Sequence, residues 1–79
     1  MDHDLVLFIR HTCPYCVRVL DYMDEAGIEL PLRDLNSDAG ATSTLLEVGG
    51  KVQVPCLFID GKPLYESLDI IDWLRDNVA

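Results

Sequence analysis

The sequence predicts a single α/β domain, a four-stranded mixed sheet flanked by three helices in the order β-α-β-α-β-β-α. Three observations predict it. The apolar run Leu5–Ile9 gives way at Pro14 to apolar residues at helical spacing, which marks a strand followed by a helix. Strand–helix–strand order at the front implies a right-handed parallel crossover. Near the end, Asp60-Gly61 separates two short strand-like runs, a hairpin signal and therefore an antiparallel pair. A parallel front and an antiparallel back together require a mixed sheet with helices on both faces.

Leu5–Ile9 reads as a buried first strand. The first helix begins near Pro14, a residue favoured in a first helical turn, and Val17, Leu20, Met23 and Ala26 are expected on its inner face. Gly27 fits its C-terminal cap. Leu30–Leu35 reads as a second strand, where Pro31 fits an edge or a strand start. Asn36, Ser37 and Asp38 are candidate caps for a second helix reaching about Val48 and ended by Gly49-Gly50. Val54–Ile59 is the third strand, and its consecutive Leu57, Phe58 and Ile59 fit a strand covered on both faces. Lys62–Tyr65 is the fourth strand. Ser67 is the expected N-cap of the last helix, with Asp69 and Asp72 early in it. Leu68, Ile71 and Leu74 form the expected apolar stripe of that helix, widened by Ile70, Trp73 and Val78.

Composition narrows the function. At 79 residues the chain is one domain, 1–79, near the lower limit for a core that stands without staples. An apolar share of 49% suits a compact globule, and no apolar run approaches the ~18 residues of a membrane helix. The first residues, Met1-Asp2-His3-Asp4, are acidic where a secretory leader is basic, so a cytoplasmic location is expected. A net charge of −8 disfavours nucleic acid and anionic membranes as partners. Most acids lie in 21–38 and 60–76, whereas Arg10, His11 and Arg18 stand near Cys13 and Cys16, with Lys51 a candidate neighbour in space. That local basic group fits a small anionic ligand; the alternative is ordinary solvated charge.

The chemistry centres on Cys13-Pro14-Tyr15-Cys16, where a strand gives way to a helix. Unpaired N–H groups and the dipole of a helix N-terminus favour a thiolate, the nucleophile of disulfide exchange. Cys13, at the exposed helix start with Arg10 nearby, is the expected nucleophile with a lowered pKa. Cys16, one turn on, should be more buried and less acidic, close enough to close a small disulfide ring. In a reducing compartment such a pair is catalytic or metal-binding rather than structural. Zinc wants four ligands, and only His3, His11 and Cys56 remain to complete a set, at no recognisable spacing, so no metal is assigned. Cys56 reads as a small buried hydrophobe, with a third redox thiol as the alternative. His11 reads as a solvated loop residue or a tuner of Cys13, and Trp73 as core. Pro55 is either a trans proline opening a strand or a cis proline.

Across nearly its whole length the chain resembles the glutaredoxins, within the thioredoxin-like superfamily. Three motifs in family order carry the resemblance: Thr12-Cys13-Pro14-Tyr15-Cys16, Val54-Pro55 opening a strand, and Glu66-Ser67-Leu68-Asp69-Ile70 at the last helix. Two departures stand out. Gln53 replaces the usual threonine of a Thr-Val-Pro segment, and Glu66-Ser67 replaces part of a Gly-Gly-x-Asp-Asp-like segment. Both versions are more similar to the N-terminal domain of glutathione transferases, although 79 residues leave no room for the helical second domain of that family.

The resemblance implies a thioredoxin-like fold and a glutathione-dependent thiol–disulfide oxidoreductase working through Cys13, with Cys16 resolving. It implies a cis Pro55 and a Val54 backbone that pairs with the cysteine of glutathione. Glu66 and Ser67 would hold the γ-glutamyl end, Arg10 or Lys51 the glycyl carboxylate with Gln53 as a polar contact, and Tyr15 would wall the sulfur. Glutathione is then a co-substrate, with no tightly bound cofactor, and the partners are disulfide-bearing or glutathionylated proteins met by a monomer. Two alternatives stand beside it: a redoxin reduced by thioredoxin reductase, and a glutathione- or iron–sulfur-cluster-binding module.

Overall fold

The structure, a computed structural model, describes residues 3–78. Its elements are β1 (Leu5–Ile9), α1 (Pro14–Ala26), β2 (Leu32–Asp34), α2 (Ala39–Gly49), β3 (Cys56–Ile59), β4 (Lys62–Tyr65) and α3 (Ser67–Asn77). The sheet order is β2-β1-β3-β4. β1 runs parallel to β2, with Leu7 opposite Leu32, and antiparallel to β3, with Leu7 opposite Leu57; β3 and β4 form the antiparallel hairpin. This is the thioredoxin-like α/β fold.

Alternation along the central strands divides the core into two layers. Leu7, Ile9 and Leu57 point to one face, where they meet Cys16, Val19 and Met23 of α1 and Ile70 and Leu74 of α3. Phe8, Cys56 and Phe58 point to the other, where Ala41 and Leu45 of α2 cover them. The Phe8 and Phe58 rings lie 4.5 Å apart between centroids, within the range of a favourable aromatic pair. The first layer carries the Cys13–Cys16 segment; the second is a smaller packing unit under α2.

Several element details differ from the sequence expectation. Val17 and Ala26 are exposed, and the inner face of α1 is Cys16, Val19 and Met23 with Leu20 half-buried. The cause is Cys16 itself, which sits in the core and sets the phase of the helix. β2 is shorter than Leu30–Leu35, because Pro31 has no N–H to give; its carbonyl still accepts from the Leu7 N–H at 3.0 Å. Asp38 is the cap of α2, accepting from the Gly40 N–H at 3.1 Å. β3 begins at Cys56 rather than Val54, since the Val54–Pro55 bond is cis and turns the chain just before the strand.

α3 departs most. Ser67 is not the N-cap but the first helical residue, and it is buried; Glu66 holds the cap position with no side-chain cap bond. The inward stripe is therefore Ser67, Ile70 and Leu74, with Ile71 and Trp73 half-buried. Leu68, expected inside, is 60% exposed, and Val78, past the helix end, is exposed as well.

Candidate active site

Cys13 caps α1 in an extended conformation, and Pro14 follows in the first turn. Its N–H is tied to the Arg10 carbonyl at 3.0 Å, and its own carbonyl accepts from Val17 at 3.0 Å, so the backbone on both sides is fixed. The side chain is half-buried and free of any disulfide. Burial pushes its thiol up, but the Cys16 and Tyr15 N–H groups, the Cys16 thiol and the Arg10 charge together bring the pKa below the ordinary value. A helix start is thus read as a site for negative sulfur, as the first-turn N–H groups dictate.

Cys16 is a different thiol. It is fully buried in the α1–α3 layer, and burial pushes its pKa up to about 11, only partly offset by the Arg10 N–H, which donates to Sγ at 3.4 Å. Two cysteines one turn apart therefore hold opposite states: an accessible sulfur inclined to ionise and a protected one that stays protonated.

The cis Val54–Pro55 bond lies across from Cys13, whose Sγ is 4.0 Å from the Val54 carbonyl oxygen. Val54 and Pro55 also line a cleft of about 530 Å³ that continues through Gln53, Glu66, Ser67, Leu68 and Asp69 to Tyr15 and Arg18. This volume falls within the range of small-molecule sites. The cleft carries both signs of charge. Glu66 and Asp69 stand around the N-terminus of α3, and Arg18 lies over the Tyr15 ring, 5.7 Å from its centroid. Gln53 Nε2 donates to Glu66 Oε2 at 3.3 Å across the cleft wall.

The structure brings Tyr15, Gln53, Val54, Pro55, Glu66 and Ser67 together on this wall and Cys13 beside it. Two expected basic residues are elsewhere. Arg10 acts on the cysteines through its backbone N–H and its charge but does not line the cleft, and Lys51 lies over the Tyr65 ring, 4.6 Å from its centroid. The basic residue of the cleft is Arg18, two residues past Cys16 and so about half a turn round α1, exposed and lying over Tyr15. Gln53 meets Glu66 rather than a basic partner. Asp69 and Leu68 also belong to the lining, and the signal for them was their place in the first turn of α3. Cys56 follows Pro55 directly, but its side chain is buried on the other side of the sheet, in the layer under α2, where burial pushes its thiol up to about 11 despite the Tyr65 hydroxyl; that agrees with the small-hydrophobe reading. His11 is exposed on its loop, as the solvated reading expects, and its Nδ1 lies 2.7 Å from Asp34 Oδ2.

A family model described as Glutaredoxin matches residues 5–64. Glutaredoxin-C4 of Arabidopsis thaliana is 32% identical over 74 residues, which is 90% of this chain and 55% of that protein. A glutaredoxin of Vernicia fordii is 30% identical over 64 residues, 77% of this chain and 62% of that protein. The chain thus spans less than two thirds of the length of these curated relatives. Among solved structures, a buckwheat glutaredoxin–glutathione complex is similar with a TM-score of 0.72 at 28% identity, over 94% of this chain and 70% of that one. The glutathione transferase Omega 3C of Trametes versicolor is similar with a TM-score of 0.77 at 28% identity, over 96% of this chain and 32% of that one.

Proposed function

The chain belongs to the glutaredoxin family, and on that premise we propose that it is a glutathione-dependent thiol–disulfide oxidoreductase. The observation that carries the reading is the meeting of Cys13 Sγ with the Val54 carbonyl at the wall of a cleft that ends on Glu66 and Ser67. A cysteinyl sulfur presented to Cys13 would lie alongside the Val54 backbone, whose N–H and C=O can pair with it as a strand would. The γ-glutamyl carboxylate then reaches the N–H groups at the start of α3, and its ammonium reaches Glu66. The similarity to the buckwheat glutaredoxin–glutathione complex supports glutathione as the occupant.

The chemistry follows from the two thiols. The Cys13 thiolate attacks the glutathionyl sulfur of a mixed disulfide; the Cys13–glutathione bond forms, the old bond breaks, and the substrate leaves as a thiolate that takes up a proton. A second glutathione thiolate attacks the glutathionyl sulfur, glutathione disulfide leaves, and Cys13 returns as thiolate. One substrate disulfide is reduced and two glutathiones end as one disulfide. On a protein disulfide, Cys13 forms the mixed disulfide and Cys16 attacks the Cys13 sulfur, releasing the reduced protein; two glutathiones then reduce the Cys13–Cys16 bond. Burial of Cys16 keeps it from external disulfides, so its chemistry is confined to its neighbour.

The test is reduction of a glutathionylated small disulfide, coupled to glutathione reductase and NADPH. Turnover that is abolished in Cys13→Ser and largely kept in Cys16→Ser is the expected result. A folded protein with no turnover refutes the reading and directs attention to a thioredoxin reductase as electron donor.

A further inference from the structure

α2 ends in two glycines with different reasons to be glycine. Gly50 has φ 84°, the left-handed position that closes a helix, and its N–H donates to the Leu46 carbonyl at 3.0 Å. Gly49 lies within α2 at no positive φ, so its backbone would take other residues. Its need is room: a Cβ there would overlap the Tyr65 hydroxyl. That hydroxyl donates to the Lys51 carbonyl at 3.0 Å, and the Lys51 ammonium lies over the Tyr65 ring, 4.6 Å from its centroid. Burial, and after it Cys56, push the phenol above its ordinary value, so it stays a donor at neutral pH. The segment that Tyr65 touches carries the edge of the cleft. Residues 50–55 join α2 to β3 in no helix or strand, and among the described residues no backbone–backbone hydrogen bond holds 51–55. Lys51 is three residues from Val54, a tether of about 10 Å at full stretch. The Val54 carbonyl oxygen lies 4.0 Å from Cys13 Sγ. On the far side the chain enters β3 at Cys56, which is paired with Phe8 and with Tyr65 itself.

We infer that Tyr65 is a positioning residue for the thiol-exchange site: its hydroxyl, admitted by Gly49, pins the Lys51 carbonyl and so holds the Val54 edge opposite Cys13. The inference rests on the glutathione reading above and adds to it two residues, Gly49 and Tyr65, that do not line the cleft. It also gives Lys51 a place, since the pin engages both its carbonyl and its ammonium. The pin stands at the open edge of the layer under α2, where its hydrogen bond is exposed, so the buried interior of that layer remains packing. Without the pin, residues 51–54 sample positions in which Val54 does not face Cys13. Apparent affinity then falls with the fraction of molecules that keep the competent arrangement, while the chemistry of those molecules is unaltered.

The experiment measures steady-state reduction of a glutathionylated small disulfide by the wild type, Tyr65→Phe, Gly49→Ala and the double variant. The rate at which Cys13 reacts with a dipyridyl disulfide is measured beside it. That reagent has no peptide to pair with Val54, so it reports the nucleophile alone. Tyr65→Phe is expected to raise KM roughly threefold with kcat unchanged, as loss of one neutral hydrogen bond would, and to leave the dipyridyl rate within about 1.5-fold. Gly49→Ala is expected to raise KM at least as much, although alanine is the better helix former. In the Tyr65→Phe background, where no hydroxyl is left to displace, Gly49→Ala should add less than about 1.5-fold. A wild-type KM in either single variant overturns the pin. So does a loss that falls on kcat or equally on the dipyridyl reaction, which would be general damage to the fold, and so does a Gly49→Ala effect of full size in the Tyr65→Phe background. Failure of the wild type to turn over the glutathionylated disulfide, with its dipyridyl reaction intact, refutes the proposed function and the pin with it; turnover with a KM indifferent to Tyr65 refutes the pin alone.

Discussion

Cys16 and Cys56 are equally buried, and burial pushes both thiols up to about 11, yet they lie on opposite faces of one sheet. Cys16 stands among the α1 and α3 side chains, one turn from a second sulfur and under the N–H of Arg10. Cys56 stands under α2, with Tyr65 as its polar neighbour and no other cysteine in its layer. On the proposed function the same residue at the same depth is a resolving thiol in one layer and packing material in the other. What separates them is the helix N-terminus that offers Cys16 a partner, because disulfide exchange needs an attacking thiolate and an accessible sulfur together.

The comparison breaks most visibly if the two layers do not separate chemistry from packing. Leu45→Ala empties a fully buried site under α2 and is expected to cost about 2–5 kcal/mol of stability. The activity per folded molecule should stay unchanged, because no residue of the cleft packs on Leu45 in that layer beyond the half-buried Val54. Urea unfolding with turnover measured at low denaturant checks both. Val19→Ala, on the Cys16 side, should cost a similar amount and also disturb the pH dependence of Cys13 alkylation. Identical behaviour of the two variants would remove the distinction between the layers.

Titration sharpens it next. Cys16 and Cys56 have folded pKa values raised from 9.0 to about 11, so their protonated forms are the ones the fold favours. Their contribution is therefore full below pH 9.0 and is lost as pH rises toward about 11. For Cys56 that rise corresponds to on the order of 2–3 kcal/mol. Cys56→Ala should flatten the alkaline fall in Tm while leaving turnover near pH 7 alone. Cys13 has the opposite sign: its pKa is lowered, so it alone should be alkylated by iodoacetamide in the native protein near neutral pH, and the other two only after unfolding. Rapid native alkylation of Cys56, read by mass spectrometry, would show that its layer opens.

The two regions also differ in how well the sequence revealed them. Element order and the mixed sheet were legible, because the unbroken apolar runs Leu5–Ile9 and Leu57–Ile59 and the turn at Asp60-Gly61 are local signals. The inward faces of α1 and α3 were not. Counting α1 from Val17 leaves Cys16 out of the apolar stripe, although it is the residue that anchors it. Reading Ser67 as a cap rotates α3 so that Leu68 points inward, whereas the strained Glu66 starts the helix one residue earlier. Helix phase depends on what the helix packs against, which no short window contains. For the same reason Arg18 is legible only as one member of a local basic group, while the resemblance points to Arg10 or Lys51, neither of which lines the cleft.

The smallest effect concerns the strut between the loop that carries Cys13 and the end of β2. His11 Nδ1 meets Asp34 Oδ2 at 2.7 Å, and Asp34 also accepts from the Asn36 N–H at 2.9 Å. That N–H first, and His11 second, hold the Asp34 carboxyl below its ordinary value. A depressed carboxylate contributes stability above its unfolded pKa and loses it as pH falls through the folded one, so the strut fails only in acid. The imidazole is largely exposed, and solvent screens the pair. His11→Asn is accordingly expected to leave Tm at neutral pH nearly unchanged and the native alkylation rate of Cys13 within about twofold. A larger change in that rate would make His11 part of the nucleophile's environment, and the contrast between the two layers would then extend to the loop between β1 and α1.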